Sequence, residues 1–295
     1  MNPREEGFLL LTSHLGDPNR RPLTAHQFAV LTQRMRTRDL PEEDRELNEK
    51  DLLAVGCSRE SAKQIITLLE DGEPLRHYVS KGAAQGCVPV TRVSQGYPAR
   101  LRIQLGAESP GCLWAKGDLS ILEDPAIALV GSRDLNEENR IFAHQVGILA
   151  AQRGLVLVSG NARGADRVAQ EACLNAGGKV ISIVADQLCV HPHRENLLYL
   201  SEDGYADGFS AQRALRRNRC IHALGGITFV AQATLEKGGT WQGTVNNLRH
   251  GWSDVFCFQD GSMASLALER MGAALITLEE LGAFTSEPDQ QSFFK

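Results

Sequence analysis

Two rhythms of apolar and polar positions divide this chain. From Pro22 to about Gly86 the spacing is helical and no strand-like run interrupts it. In LTAHQFAVLTQRM, Ala25, Phe28, Ala29, Leu31 and Met35 lie roughly on one face, and Thr24 stands where a first-turn cap belongs. LNEKDLLAVG stops on Gly56, and SRESAKQIITLLEDG carries Ser61, Ala62, Ile65, Ile66 and Leu69 as a stripe before Gly72. Residues 1–86 therefore read as a small helical module. Residues 87–123, rich in Gly and Pro, read as a linking segment with a short helix and one strand over 112–115.

From Asp124 the rhythm changes. Short apolar runs predict strands at 127–130, 155–158, 180–184, 227–231, 255–258 and 274–277. Helical spacing falls between and after them, at about 137–153, 165–176, 194–202, 211–223, 241–250 and 262–271. Alternation of the two implies an α/β fold, a Rossmann-like, doubly wound, mainly parallel sheet over 124–285. SEPDQQSFFK reads as a tail over 286–295.

Two of the predicted strands end in glycine turns that each carry an arginine: AIALVGSRD with Gly131, Ser132 and Arg133, and LVLVSGNARGAD with Ser159, Gly160, Arg163, Gly164 and Asp166. A helix follows each, and its unpaired N–H groups suit an anion. A third turn precedes the helix after strand 227–231, with Lys237, Gly238, Gly239 and Thr240. A single such turn could merely end a strand; three with cationic side chains describe a phosphate site at the carboxyl edge of one sheet. Asp166 is read first as a helix cap and second as a partner of Arg163, while Ser132 and Ser159 could bind phosphate or close their turns. Arg213, Arg216, Arg217 and Arg219 fall within seven residues, AQRALRRNRC; a solvated face and a binding face weigh equally.

The net charge of −5 argues against sequence-blind coating of nucleic acid by the whole surface and leaves room for a local basic cleft. No run approaches the ~18 apolar residues of a membrane span, and the N-terminus lacks the pattern of a secretory signal. The seven cysteines show no CxxC pair, which fits reduced thiols in a cytoplasm. His191 and His193 flank Pro192, so a turn is expected there and no metal. There is no Gly-x-Ser-x-Gly elbow, no Walker sequence and no Gly-x-Gly-x-x-Gly, so no cofactor is expected. No carboxylate pair stands out as acid and base, and no catalytic residue is assigned. The residues describe a binding site better than a catalyst.

In chain order, YPARL, CLWAKGD, IALVGSR, LVLVSGNARGADRVAQEACLNAGG, HPHREN and RRNRCIHALGGITFVAQA resemble the DNA-processing protein A family (DprA, also called Smf), over roughly Tyr97 to Thr277. The resemblance implies a Rossmann-like domain that binds single-stranded DNA in a basic pocket and works with the RecA recombinase in natural transformation or repair. It implies that Gly131, Ser132 and Arg133 hold backbone phosphate. Ser159, Gly160, Arg163 and Gly164 would line the floor, and Arg217, Asn218 and Arg219 the wall. KGGTWQGT and Gln232-Ala233 depart from the family pattern, and no winged-helix pattern follows the core. Trp241 in that divergent segment is expected in the core. The reading is a non-enzymatic, cytoplasmic, homodimeric single-stranded DNA-binding protein. The alternative is a nucleotide sensor or nucleotide-processing enzyme on the same fold, with a role in phage defence. Its phosphoribohydrolase branch would show Pro-Gly-Gly-x-Gly-Thr-x-x-Glu where this chain has Lys237-Gly238-Gly239-Thr240.

Overall fold

A computed structural model describes residues 1–37 and 47–286. The helical stretch contains α1 (Pro3–Thr12), α2 (Ala25–Thr37), α3 (Glu49–Ala54), α4 (Arg59–Glu70) and α5 (Gly72–Ala83). Thr24 does cap α2: its hydroxyl accepts from the Gln27 N–H at 3.2 Å while Gln27 Oε1 accepts from the Thr24 N–H at 2.8 Å. Leu31, Leu52, Ile65 and Leu68 form the core between α2, α3 and α4. Gly72, expected as a stop, is instead the first residue of α5. The α1 helix, which the sequence reading does not place, is started by a capping box between Asn2 and Glu5. Arg20 ties α1 to the α4–α5 junction, with Nε 2.8 Å from Asp71 Oδ2 and Nη2 donating to the carbonyls of Leu10 and Leu68.

The sheet is nine-stranded: β1 (Val88–Thr91), β2 (Cys112–Lys116), β3 (Ala126–Val130), β4 (Val156–Ser159), β5 (Lys179–Ile183), β6 (Leu197–Ser201), β7 (Ile227–Val230), β8 (Asp254–Phe258) and β9 (Ala274–Ile276). Its order is β1-β2-β6-β5-β4-β3-β7-β8-β9. Pairing is parallel from β6 to β9, and antiparallel only for β1 with β2 and β2 with β6. The stretch read as a linker thus supplies two strands. The fold is Rossmann-like, and the chain reverses its direction of travel across the sheet between β3 and β7.

Alternate residues of the strands face opposite layers. Ile127 and Leu129 of β3 join Phe142 and Val146 of α7 (Glu137–Gln152), and Ala169 and Cys173 of α8 (Ala165–Asn175), on one face. Ala128 and Val130 join Leu101 of α6 (Ala99–Leu105), Ile221 of α9 (Ala211–Leu224) and Trp241 of α10 (Gly238–His250) on the other. Leu268 of α11 (Met263–Arg270) extends that second layer, and Leu281 of α12 (Leu278–Ser286) the first. Trp241 is a core residue, as expected. The rings of Tyr78, Trp114 and Tyr205 meet at centroid distances of 4.7 to 5.3 Å and fasten α5 to β2 and the loop after β6. Each such pair contributes about 0.5–1.5 kcal/mol beyond simple burial.

One predicted element changes type. Residues 194–202, read as a helix, form β6, parallel to β5. LLYLS is apolar on both faces and buried throughout, so its periodicity does not separate strand from buried helix. Asn196, at φ 58°, turns the chain into the strand, and its carbonyl accepts from the Val180 N–H at 2.8 Å. The expected tail beyond Ser286 lies outside the described residues.

Candidate functional site

A half-open cavity of about 520 Å³ lies at the carboxyl ends of β3 and β7, where the strand order reverses. Crevices form at such switch points because the loops leaving neighbouring strands diverge to opposite faces. The cavity brings together Gly131, Ser132, Arg133, Asp166, Arg217, Asn218, Lys237, Gly238, Gly239 and Thr240. It leaves Ser159, Gly160, Arg163, Gly164 and Arg219 outside its lining.

The first turn is stitched in place by backbone contacts. The Ser132 N–H donates to the Gln232 carbonyl at 2.9 Å, and the Ser132 carbonyl accepts from the Ala165 N–H at 3.1 Å. Gln232 Oε1 accepts from the Asn136 N–H at 3.0 Å, so Gln232 has a structural place beside the first turn. A Cβ on Gly131 would strike the Ala165 methyl. Gly164, at φ 87°, takes a conformation that side chains resist, and a Cβ there would strike the carbonyls of Ser132 and Arg133. Gly164 thereby lets the second turn pack against the first. Ser132 Oγ accepts from the Asp134 N–H at 3.2 Å and closes its turn. Ser159 is buried, with its hydroxyl 2.5 Å from Gln170 Nε2, a core contact.

The α9 helix separates its arginines. Ser210 caps its start by accepting from the Arg213 N–H at 3.1 Å. Arg213, Arg216 and Arg219 turn outward onto the carboxylates of the loop after β6. Arg213 Nη2 lies 2.8 Å from Asp207 Oδ2, Arg216 Nε 3.2 Å from Glu202 Oε1, and Arg219 Nη2 2.6 Å from Glu202 Oε2. Arg216 also pairs with Asp203. Arg217 turns inward to the cavity floor, 7% exposed. Its guanidinium lies against Gly160, where any Cβ would collide with it, so Gly160 serves the site by making room. The buried Arg217 Nε has no hydrogen-bond partner. Burial pulls its pKa down, opposed by the charges of Asp166 and Asp186, and a guanidinium so placed stays charged.

Asp166 is buried beside it. Burial raises its pKa, opposed by Arg217 and then by the N–H of Ala162, which donates to Oδ2 at 3.1 Å. Asp166 thus secures the second turn, and Arg163 pairs instead with Asp134 across the surface at 2.9 Å. Both Arg163 and Asp134 are largely exposed, so this pair contributes at most about 1 kcal/mol.

The third turn opens α10. Glu236 and Gly238 have φ values of 56° and 81°, and Lys237 holds the N-cap position without a side-chain cap. The first N–H groups of α10 are therefore free of side-chain acceptors. Asn218 Nδ2 donates to the Gly239 carbonyl at 3.0 Å, and Gly239 and Gly243 let α10 approach α9 closely. One turn on, His222 is fully buried and its pKa is pushed down to about 3, so the ring is neutral. Sequence reasoning missed the apolar rim. Phe209 and Leu215 line the cavity at 61% and 45% exposure. An aromatic just ahead of the Ser210 cap was the available signal.

Among the described residues no helix is long and apolar enough to cross a membrane. The model of the family "DNA recombination-mediator protein A" matches residues 89–277. DNA processing protein DprA of Streptococcus pneumoniae is 30% identical over 185 residues, 58% of this chain and 64% of that relative, so the match spans less than two thirds of it. Its solved structure superposes with a TM-score of 0.73 at 25% identity, covering 96% of this chain and 98% of that one. DNA processing protein A of Helicobacter pylori, whose structure concerns a single-stranded DNA binding mode, superposes with a TM-score of 0.57 at 22% identity, over 68% of this chain and 94% of that one. With its matching stretch covering most of the sheet and all three glycine turns, the chain belongs to the DNA recombination-mediator protein A family.

Proposed function

We propose that this protein binds single-stranded DNA in the β3–β7 cavity and so takes part in DNA processing and recombination, in natural transformation or repair. One observation carries the reading: Arg217, a charged side chain buried at the cavity floor with its Nε unpartnered. A buried guanidinium with an unmet hydrogen bond is costly, and an incoming phosphate can relieve that cost with charge-assisted hydrogen bonds to the group. Arg133, Lys237 and the uncapped start of α10 surround the same space. The Streptococcus relative, named for DNA processing, and the Helicobacter relative, whose structure concerns a single-stranded DNA binding mode, support this ligand. Loading of RecA, a homodimeric assembly and a cytoplasmic location go with the reading. The cavity binds and does not turn its ligand over.

The test is titration of an oligothymidylate at low and moderate salt, with mono- and dinucleotides as competitors. Salt-sensitive strand binding that free nucleotides do not displace is the expected result. Absence of strand binding, with saturable binding of a mononucleotide, would replace this reading with the small-nucleotide sensor or enzyme. A cavity of about 520 Å³ is large enough for such a ligand.

A further inference from the structure

The distribution of available charge says more about the ligand, on the reading that it is a DNA strand. A protein that tracks a strand through its middle offers a continuous basic groove. On α9 the candidates for such a groove are already engaged: Arg213, Arg216 and Arg219 with Glu202, Asp203 and Asp207. Arg163, beside the second turn, is engaged with Asp134. Among the described residues, no side chain hydrogen-bonds or ion-pairs with the side chains of Arg133 or Lys237, and Arg217 has no ion pair. These three line one cavity.

The ionisable side chains lining that cavity are Arg133, Asp166, Arg217 and Lys237, which together leave two positive charges. The N-terminus of α10, thirteen residues long and without a side-chain cap, adds the positive end of its dipole. Two features point at the same space independently: an open helix start, and a guanidinium 7% exposed whose Nε has no partner. An internal phosphodiester carries one negative charge and two free oxygens. A terminal phosphomonoester carries about −1.5 to −2 and three acceptor oxygens. The monoester matches both the charge and the crowded donors.

We infer that the cavity formed by Arg133, Arg217, Lys237 and the start of α10 seats a terminal phosphomonoester, the phosphorylated end of a DNA strand. The rest of the strand then leaves across the open mouth, past Phe209 and Leu215. The protein on this account recognises ends of single strands in preference to their interiors.

The experiment compares one internally labelled oligothymidylate in four forms: 5′-phosphorylated, 3′-phosphorylated, hydroxyl at both ends, and ligated into a circle. Anisotropy titration at moderate salt should show one phosphorylated form binding at least tenfold tighter than the hydroxyl-ended and circular forms. Which phosphorylated form wins identifies the end. Lys237→Ala, at an exposed position, and Arg217→Gln, checked for folding by circular dichroism, should each bring that ratio close to one. A circle that binds as tightly as both phosphorylated linear forms overturns the end preference and leaves strand binding intact. Failure of all four forms to bind overturns the strand reading and this inference with it.

Discussion

The inner and outer faces of α9 carry the same residue type in opposite circumstances. Outside, Arg213, Arg216 and Arg219 are held by carboxylates of the loop after β6, and Glu202 among these is only 4% exposed at its side chain. Inside, Arg217 is buried at the floor of a cavity with its Nε unpaired. The outer arginines have spent their hydrogen bonds on the fold, and the inner one keeps donors for a ligand. Charge density along a helix therefore says little about binding until each cation's partner is known.

The comparison breaks most readily at Glu202. Its carboxylate accepts from both Arg216 and Arg219, at 3.2 and 2.6 Å. Removing one partner of a buried ion pair costs about 3 kcal/mol or more. Glu202→Gln is expected to lower the melting temperature by roughly 6 °C or more, while strand affinity changes little. A melting temperature within a degree of the parent would mean that Glu202 does not anchor the outer face.

The inner face should respond with the opposite pattern. Arg217→Gln removes charge-assisted hydrogen bonds to phosphate, each on the order of 1.5–3 kcal/mol, so strand affinity should fall ~10–100-fold. Stability should change little, because the unmet Nε is removed while the buried Asp166 loses a favourable neighbouring charge. Calorimetry and anisotropy on the same preparation separate the two effects. A variant that loses stability while binding normally would place Arg217 with the outer arginines.

Arg133 sharpens the contrast from the exposed rim of the cavity. It remains solvated, so Arg133→Ala should weaken strand binding by a smaller factor, about three- to tenfold at moderate salt, without a stability change. The slope of log K against log salt should become shallower by ~0.7, the contribution of one single-strand phosphate contact. An unchanged slope would take Arg133 out of the interface.

The same contrast marks where the sequence was readable. The turns at Gly131 and Gly238 were legible because strand, glycine and helix start follow one another locally, and the cavity forms where those turns meet. The roles within the second turn were not. Gly160 makes room for Arg217, Ser159 bonds Gln170, and Arg163 meets Asp134, all through partners distant in sequence. The misread segment 194–202 has the same cause, since pairing with β5 decided what LLYLS became. Arg219, expected in the wall, faces Glu202 because α9 advances about 100° per residue and carries it two steps around from Arg217.

The smallest expected effect is the most exacting for the comparison. Arg216 is 49% exposed at its side chain and pairs with Glu202 and Asp203. Because it is half solvated, its loss should lower stability by only about 0.5–1 kcal/mol. Arg216→Ala should change strand affinity by less than about twofold, since an arginine already bound to two carboxylates releases few counterions when DNA arrives. Glu202 keeps Arg219 as a partner in that variant, so the loop after β6 and its Phe209 should stay in place. If affinity and salt slope instead fall as far as in Arg133→Ala, the carboxylates must hand Arg216 over to phosphate on binding. The outer face would then be a reserve of charge opened by the ligand, and the pairing seen in the free protein would no longer define which arginines bind.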